Sequence, residues 1–480
     1  MDSLDPVLVA HAVRSDLFCY DVGSFVPLSI RDQMIRSILV VRRAVEHGII
    51  MGDTRPLLVV GAGAAGVTAA IEAAAHGVRT VLVERTDQAF TRQAHCRTRH
   101  IDPTLYDWAL HHWPEGAFPW TEHAVPLKWE AGPANRVAAG WRQQFAAELN
   151  SLGSLLEIHY LSDVAFPQGQ PVLDQSKLMQ VTITGPGRVS RTEAFGALIS
   201  SVGIGTERTT AGDYAGYRFW DTDPFQRPNL GLRGHVQPKV LISGGGDGAL
   251  QDCIRILTGR SAREVLDTLL AVGPVKTVVA GLERTLQSEE DQAQRCLAWG
   301  RSPRHDHPVH TRLEGCINAF IADVRRSRVW KSICASLKAI VRDAPVDVTV
   351  AHDCGHFSRS YPLNRFLVLL IAAYLDEVHR SGTSHLNTKV RFHQNTRVNS
   401  VTGIGHLCGA QGSGARGCHG KEHSVTFRHF TCNDPALHGV TGAETFNIVI
   451  LRHGVDPPAR VLGTVPVSNP RQMLPYHLPF

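Results

Sequence analysis

Short, wholly apolar runs separated by glycines set the rhythm of this chain. Residues 57–60 (LLVV) are apolar at every position, the pattern of a strand buried on both faces of a parallel sheet. The run stops at Gly61. An alanine-rich stretch, 64–76, then predicts a helix that ends at Gly77, the usual place for a left-handed cap. A second apolar run, 80–83, follows and ends on Glu84. Runs at 155–160, 178–184 and 195–202 predict three more strands, the last leading into Gly203 and Gly205.

The pattern then starts again. Residues 239–243 (KVLIS) read as a strand, Gly244, Gly245, Gly246, Asp247 and Gly248 as a glycine turn, and 249–257 as the opening of a helix. Residues 275–280 (VKTVVA) read as the following strand, with Glu283 and Arg284 just beyond it. Runs at 389–401, 425–430 and 446–451 echo the three strands before Gly203, and the last also meets a glycine, Gly454. Between the copies of the pattern, 285–388 has helical period at 312–324, 330–341 and 363–379. The fold class expected is therefore α/β, two Rossmann-like dinucleotide-binding units with a helical insertion in the second. The expected segments are 1–54 (a helical extension built around an amphipathic stretch at 30–50), 55–235, then 236–284 with 389–480, and the insertion 285–388.

Composition narrows the partners. A chain of 480 residues suggests two to three domains, and 43% hydrophobic with 19% charged residues is a globular balance. A net charge of +5, with no basic cluster interleaved with aromatics, gives no case for nucleic acid. The longest apolar run, 366–375, is too short to span a bilayer, and the N-terminus lacks the pattern of a secretory signal, so no membrane role is expected. Ten irregularly spaced cysteines read as reduced thiols, and the expected location is cytoplasmic.

Chemistry enters at the glycines. Gly61, Gly63 and Gly66 stand in G-x-G-x-x-G spacing, with Ala62, Ala64 and Ala65 between them. The first glycine allows the tight turn, the second the approach of a diphosphate to backbone, and the third close packing of helix on strand. Helix N–H groups then face the anion. Glu84, with Arg85 beside it, lies about twenty residues on, where a carboxylate can hold a ribose hydroxyl. In the second unit the gap from Gly246 to Glu283 is longer, and the ribose reader there is unassigned. Two histidine- and cysteine-rich clusters, His352, Asp353, Cys354 and His356, and His406, Cys408, Cys418, His419 and His423, match no established ligand spacing, and no metal is expected. No C-x-x-C or C-x4-C pair offers a redox dithiol, and no G-x-S-x-G offers a nucleophile elbow.

The two glycine motifs together resemble those of the FAD-dependent flavoproteins with two dinucleotide-binding domains. That resemblance implies FAD on Gly61, Gly63, Gly66 and Glu84, closed by Gly203 and Gly205, and NAD(P)H on the turn Gly244–Gly248, which is similar to the GGGDSA turn of thioredoxin-reductase-like enzymes. It implies an FAD-dependent oxidoreductase using NAD(P)H on a small-molecule substrate. Without a dithiol, a monooxygenase fits best. The aromatic and cationic loop 90–120 reads either as a wall for flavin and substrate, with Arg97, Arg99, Tyr106, Asp107 and Trp108, or as a Pro- and Trp-rich packing cover with surface cations; His352 and Asp353 of the insertion are candidates for proton transfer. Arg284 could meet a 2′-phosphate, but a surface arginine is the reading preferred. The group's C-terminal Gly-Asp is replaced here by Gly454 and Asp456, which are not adjacent. The alternative is a catalytically silent sensor or scaffold that only holds a dinucleotide.

Overall fold

The computed structural model describes residues 5–13, 18–22, 29–105, 108, 125–169, 171–203, 205–228, 230, 237–297, 308–357, 360–382, 387–403, 422–429 and 443–456. Its first sheet has β1 (Cys19–Asp21), β2 (Leu57–Val60), β3 (Thr80–Val83), β4 (Leu156–His159) and, after a three-stranded antiparallel meander β5 (Asp163–Ala165), β6 (Met179–Thr184) and β7 (Ser190–Phe195), the returning strand β8 (Ala197–Ser200). All five sheet strands run parallel in the order β1-β8-β2-β3-β4. Leu57, Leu58 and Val59 are fully buried, as a parallel sheet covered on both faces requires. Burying each contributes about 1.5–3 kcal/mol.

Before the first glycine turn, α1 (Ile30–Glu46) starts at a capping box of Ser29 and Asp32 and packs on α2 (Ala64–Ala75); α3 (Thr91–Ala94) and α4 (Ala134–Leu152) follow β3. The first 54 residues are thus not only helical, because β1 joins the sheet edge beside β8. That strand is three residues long, too short for its alternation to show in the sequence.

A short ribbon strand, β9 (Thr206–Glu207), leaves the first unit. The second sheet follows the same plan: β10 (Lys239–Ser243), α5 (Asp247–Thr258), then α6 (Ala262–Leu270), α7 (Gly273–Leu297), α8 (Pro308–Arg325) and α9 (Val329–Lys338), then β11 (Asp347–Ala351), α10 (Pro362–Ser381) and β12 (Lys389–His393). A second meander, β13 (Thr396–Gly403), β14 (His423–His429) and β15 (Glu444–Phe446), precedes the returning β16 (Ile448–Leu451). The parallel order is β12-β11-β10-β16, matching β4-β3-β2-β8 strand for strand. Beyond β16, β17 (Val455–Asp456) pairs antiparallel with β9, so the exits of the two sheets form one ribbon.

Two sequence expectations change. Residues 275–280 are helical, inside α7: Val275, Val279, Leu282 and Leu286 fall on one helix face and are buried there. Their β-branched run mimics a strand, and the i, i+4, i+7, i+11 spacing decides for the helix. The second strand of the unit is instead β11, with burial pattern iBBBB, inside the stretch 285–388 expected to be helical. The helical excursion therefore lies within the first crossover, between α5 and β11. Glu283 and Arg284 ride on α7 and do not end a strand.

Candidate functional site: two glycine turns at the strand ends

At the end of β2, Gly61 adopts φ +100°, and a Cβ there would lie 2.7 Å from the carbonyl oxygen of Ser201. Only glycine allows that approach. A Cβ on Gly66 would lie 1.9 Å from Gly61 O and 2.2 Å from Ser201 Oγ, so the third glycine is fixed by packing. A Cβ on Gly63 would meet nothing within 4 Å. The space above the second glycine is open, and no side chain caps the first turn of α2. Its leading N–H groups have no intrahelical acceptor, which is the arrangement that receives an anion.

The turn is clamped from both sides. Ala62 N–H donates to Glu84 Oε2 at 2.7 Å, and Phe90 N–H donates to Ala62 O at 2.9 Å. Glu84 Oε1 accepts from Thr86 N and Oγ1, both at 2.8 Å, which holds the carboxylate against the lip of the crevice. Ser201 Oγ shares its proton between Val60 O (2.9 Å) and Gly61 O (2.7 Å), locking β8 to the turn. Gly203 (φ +84°) and Gly205 (φ +117°) follow β8. Arg92, on the short helix 91–94, places Nη1 3.4 Å from a Cβ position on Gly203 and donates from Nη2 to Gly205 O at 3.4 Å. Sequence reasoning missed both Ser201 and Arg92. Arg92 was one of several cations in the loop after Glu84, and nothing in the spacing singled it out. Arg85 is exposed.

The second turn repeats this backbone. Gly244 has φ +142°, a Cβ on it would lie 2.5 Å from Arg452 O, and Arg452 N donates to Ser243 O at 2.7 Å, as Ser201 N does to Val60 O at 2.9 Å. Gly246 caps α5 without a side-chain bond, while Gly454 (φ +82°) stands where Gly203 stands in the first unit. The side chains differ. Ala249 occupies the third-glycine position and His352 the place of Glu84, directly after β11. His352 is buried, with its Cβ 2.9 Å from a Cβ position on Gly245 and its ring 4.9 Å from Phe357. Burial pushes its pKa down to about 4, so it is neutral at pH 7. Asp353 follows it, half-buried. Asp247, pushed up to about 6 by burial, accepts from Tyr361 N (3.3 Å), Asn364 Nδ2 and Gln251 Nε2 (2.7 Å) and so turns toward the start of α10. Phe219 approaches Gly248 to 3.3 Å from its Cβ position. The backbone of this turn repeats the first, whereas its ribose end lacks the carboxylate clamp of the first.

The expected aromatic and cationic wall is taken apart. Arg99 is fully buried, donates from Nε to Phe219 O at 2.8 Å and lies 2.7 Å from Asp252, so its charge is committed to the junction of the two units and not to a flavin wall. Trp108 stacks on Phe366 of α10 at 5.4 Å and belongs to the core of the second unit. Arg97 is exposed, and its backbone N donates to Thr222 Oγ1 at 3.2 Å. Tyr106 and Asp107 lie outside the described residues, as do His406, Cys408, Cys418 and His419. His352 and Asp353 stand at the end of a sheet strand and not in the helical excursion. Among the described residues no cluster of metal-ligating side chains occurs and no disulfide joins the cysteines. No single described helix is long and apolar enough to cross a membrane.

A family model for FAD dependent oxidoreductases matches residues 56–89, the segment from β2 through Glu84 to the residue before Phe90. Solved structures with a similar course include the thioredoxin reductase of Lactococcus lactis (11% identity, 86% of this chain and 82% of that one, TM-score 0.36). The bacillithiol disulfide reductase of Bacillus cereus is another (11%, 84% and 78%, TM-score 0.39), as is the ornithine hydroxylase of Pseudomonas aeruginosa (14%, 85% and 84%, TM-score 0.34). No curated protein sequence matches the chain.

Proposed function

We propose that this chain is an FAD-dependent oxidoreductase acting on a small molecule. The observation that carries the reading is the first turn, where open space over Gly63 and an uncapped helix start sit beside a carboxylate already clamped to the turn. The amides of 63–65 would receive the diphosphate, and Glu84 has lone-pair capacity left for ribose hydroxyls. Arg92 adds a cation at the mouth of the crevice, beside Gly203 and Gly205. Bound FAD supplies the redox chemistry, while the chain places it and excludes water.

The finer reading takes NAD(P)H at Gly244, Gly245, Gly246 and Gly248 as the electron source. It takes direct transfer to substrate or oxygen, as in a monooxygenase, since no cysteine pair has the spacing of a dithiol relay. The experiment is an absorption spectrum of the purified protein, identification of the released nucleotide, and anaerobic addition of NADH or NADPH. A flavin spectrum that bleaches with either nucleotide supports bound FAD and the nicotinamide as electron source, and reoxidation by air with no dithiol acceptor supports direct transfer. A colourless protein that cannot be loaded with FAD ends it. The replacement of the ribose acid by His352 favours a second reading, a nucleotide-holding sensor or scaffold. Bound flavin that neither nucleotide reduces would select it.

A further inference from the structure

A cavity of about 360 Å³ opens between the start of β13, the hairpin 210–215 and the residues that follow β16. Thr210, Arg397, Asn399, Arg428 and His453 line it. Arg397 on β13 and Arg428 on β14 stand directly opposite each other in the antiparallel register. Like charges so placed destabilise a strand pair. Among the described residues neither guanidinium makes a hydrogen bond or an ion pair. Arg397 is half-buried and Arg428 exposed, so both can be reached from the cavity. The two other arginines in described strands are matched, Arg191 by Glu193 at 2.6 Å and Arg391 by Asp347 at 3.0 Å. His453 Nε2 bonds Ser243 Oγ at 2.8 Å, which puts the cavity beside the second glycine turn. Burial, and after it the charge of Arg397, pushes the pKa of His453 down to about 4, so the ring is neutral at pH 7. Asp353 and Arg208 also act on this ring; Asp353 bonds neither cavity arginine, and Arg208 is held by Asp456 at 2.6 Å.

The first unit shows what is unusual here. Thr396 N donates to His352 O at 2.7 Å as Ser162 N donates to Glu84 O at 3.0 Å, so Arg397 stands in the place of Asp163. Asp163 faces Thr184 across its strand pair, where Arg397 faces Arg428. His453 stands in the place of Val202, and His352 in that of Glu84. One rim of the crevice has thus lost two acids and gained two arginines between the two copies of the unit.

We infer that this cavity binds a phosphate group, held between Arg397 and Arg428 at the rim of the second crevice. Two open guanidiniums offer paired N–H donors to a dianion, which also relieves their mutual repulsion. Asn399 and Thr210 add uncharged polar groups on the wall. Two sources share this chemistry, a nucleotide lying in the second crevice and a small phosphorylated molecule. The inference does not rest on the flavin reading, since its probes need no FAD. The test titrates the full chain calorimetrically with inorganic phosphate and with adenosine 2′-monophosphate, against sodium chloride at equal ionic strength. At least one of the two binds saturably at one site and raises the melting temperature. Tighter binding of the nucleotide than of inorganic phosphate assigns the group to a nucleotide, and binding no tighter assigns it to a small molecule. Arg397→Gln and Arg428→Gln each lower the affinity about tenfold or more. Without ligand their melting temperatures equal or exceed that of the wild type, because a like-charge pair has been removed. Arg326→Gln, which removes the same charge from an exposed arginine in the helical excursion, keeps wild-type affinity. Absence of binding beyond the chloride control, wild-type affinity in both cavity variants, or an equal loss in Arg326→Gln overturns the inference.

Discussion

Exchanging glycine for alanine at two positions three residues apart separates a ligand role from a packing role. Gly63 has φ −78° and ψ −178°, ordinary values for any L-residue, and a methyl group there meets no atom within 4 Å. In the apoprotein the change loses a little at an N-cap and gains a little from a stiffer unfolded chain, so the net shift stays within about 1 kcal/mol. The same methyl stands in the open space over the amides that receive the diphosphate. Losing even one charge-assisted hydrogen bond costs about 1.5–3 kcal/mol, which is at least tenfold in FAD affinity. Gly66 behaves in the opposite way. Its methyl would sit 1.9 Å from Gly61 O, and real contacts are no shorter than 3.0 Å, so turn and helix must part by about 1.1 Å. Overpacking of that kind costs about 1–3 kcal/mol or more and lowers the melting temperature by several degrees. The assay pairs thermal melts of the two apoproteins with FAD titrations followed by flavin fluorescence. Wild-type FAD affinity in Gly63→Ala, or an unchanged melt in Gly66→Ala, refutes this account of the turn.

Three other outcomes are expected. Glu84→Ala leaves the amides of Ala62 and Thr86 without their acceptor, which costs about 1–3 kcal/mol of stability and weakens FAD binding together, whereas Glu84→Gln restores part of both in melts and titrations. Arg92→Gln lowers FAD affinity by about threefold to tenfold with little change in melting, since the side chain is exposed and bonds Gly205 O at the mouth of the crevice; equal affinities in the two proteins would remove it from the site. For Asp247 the folded pKa, about 6, lies above the ordinary 3.8. Between those values the folded chain holds a proton that the unfolded chain has lost, so stability falls as pH rises from about 4 to about 6, by up to ~3 kcal/mol. Asp247→Asn removes that slope and is the more stable protein at pH 7; parallel denaturation curves for the two at pH 5 and pH 7 would show the idea to be wrong.

The first unit was almost fully legible because each of its signals is local. Leu57–Val60, three glycines and Glu84 fall within 28 residues, and each carries its own physical reason. The second unit was legible only at its ends. Its glycine turn stands out, but the residue in the place of Glu84 is His352, more than a hundred positions past Gly246, so no spacing rule could find it. The strand that leads there, Asp347–Ala351, lies between helical segments, and a neighbouring β-branched run at 275–280 offered a more attractive but false strand. Arg99 and Trp108 were rightly noticed as unusual and wrongly placed. Composition marks a loop as eventful without saying whether its arginine faces a ligand or a buried aspartate.

The ribbon of Thr206–Glu207 with Val455–Asp456 has a mechanical consequence. Each sheet ends its returning strand on a left-handed glycine, and both tails are then stitched together, with Arg208 and Asp456 joined at 2.6 Å. The mouths of the two crevices are thereby tethered at a shared seam. Sliding one unit across the other would have to unpick that seam as well as the buried pair of Arg99 with Asp252.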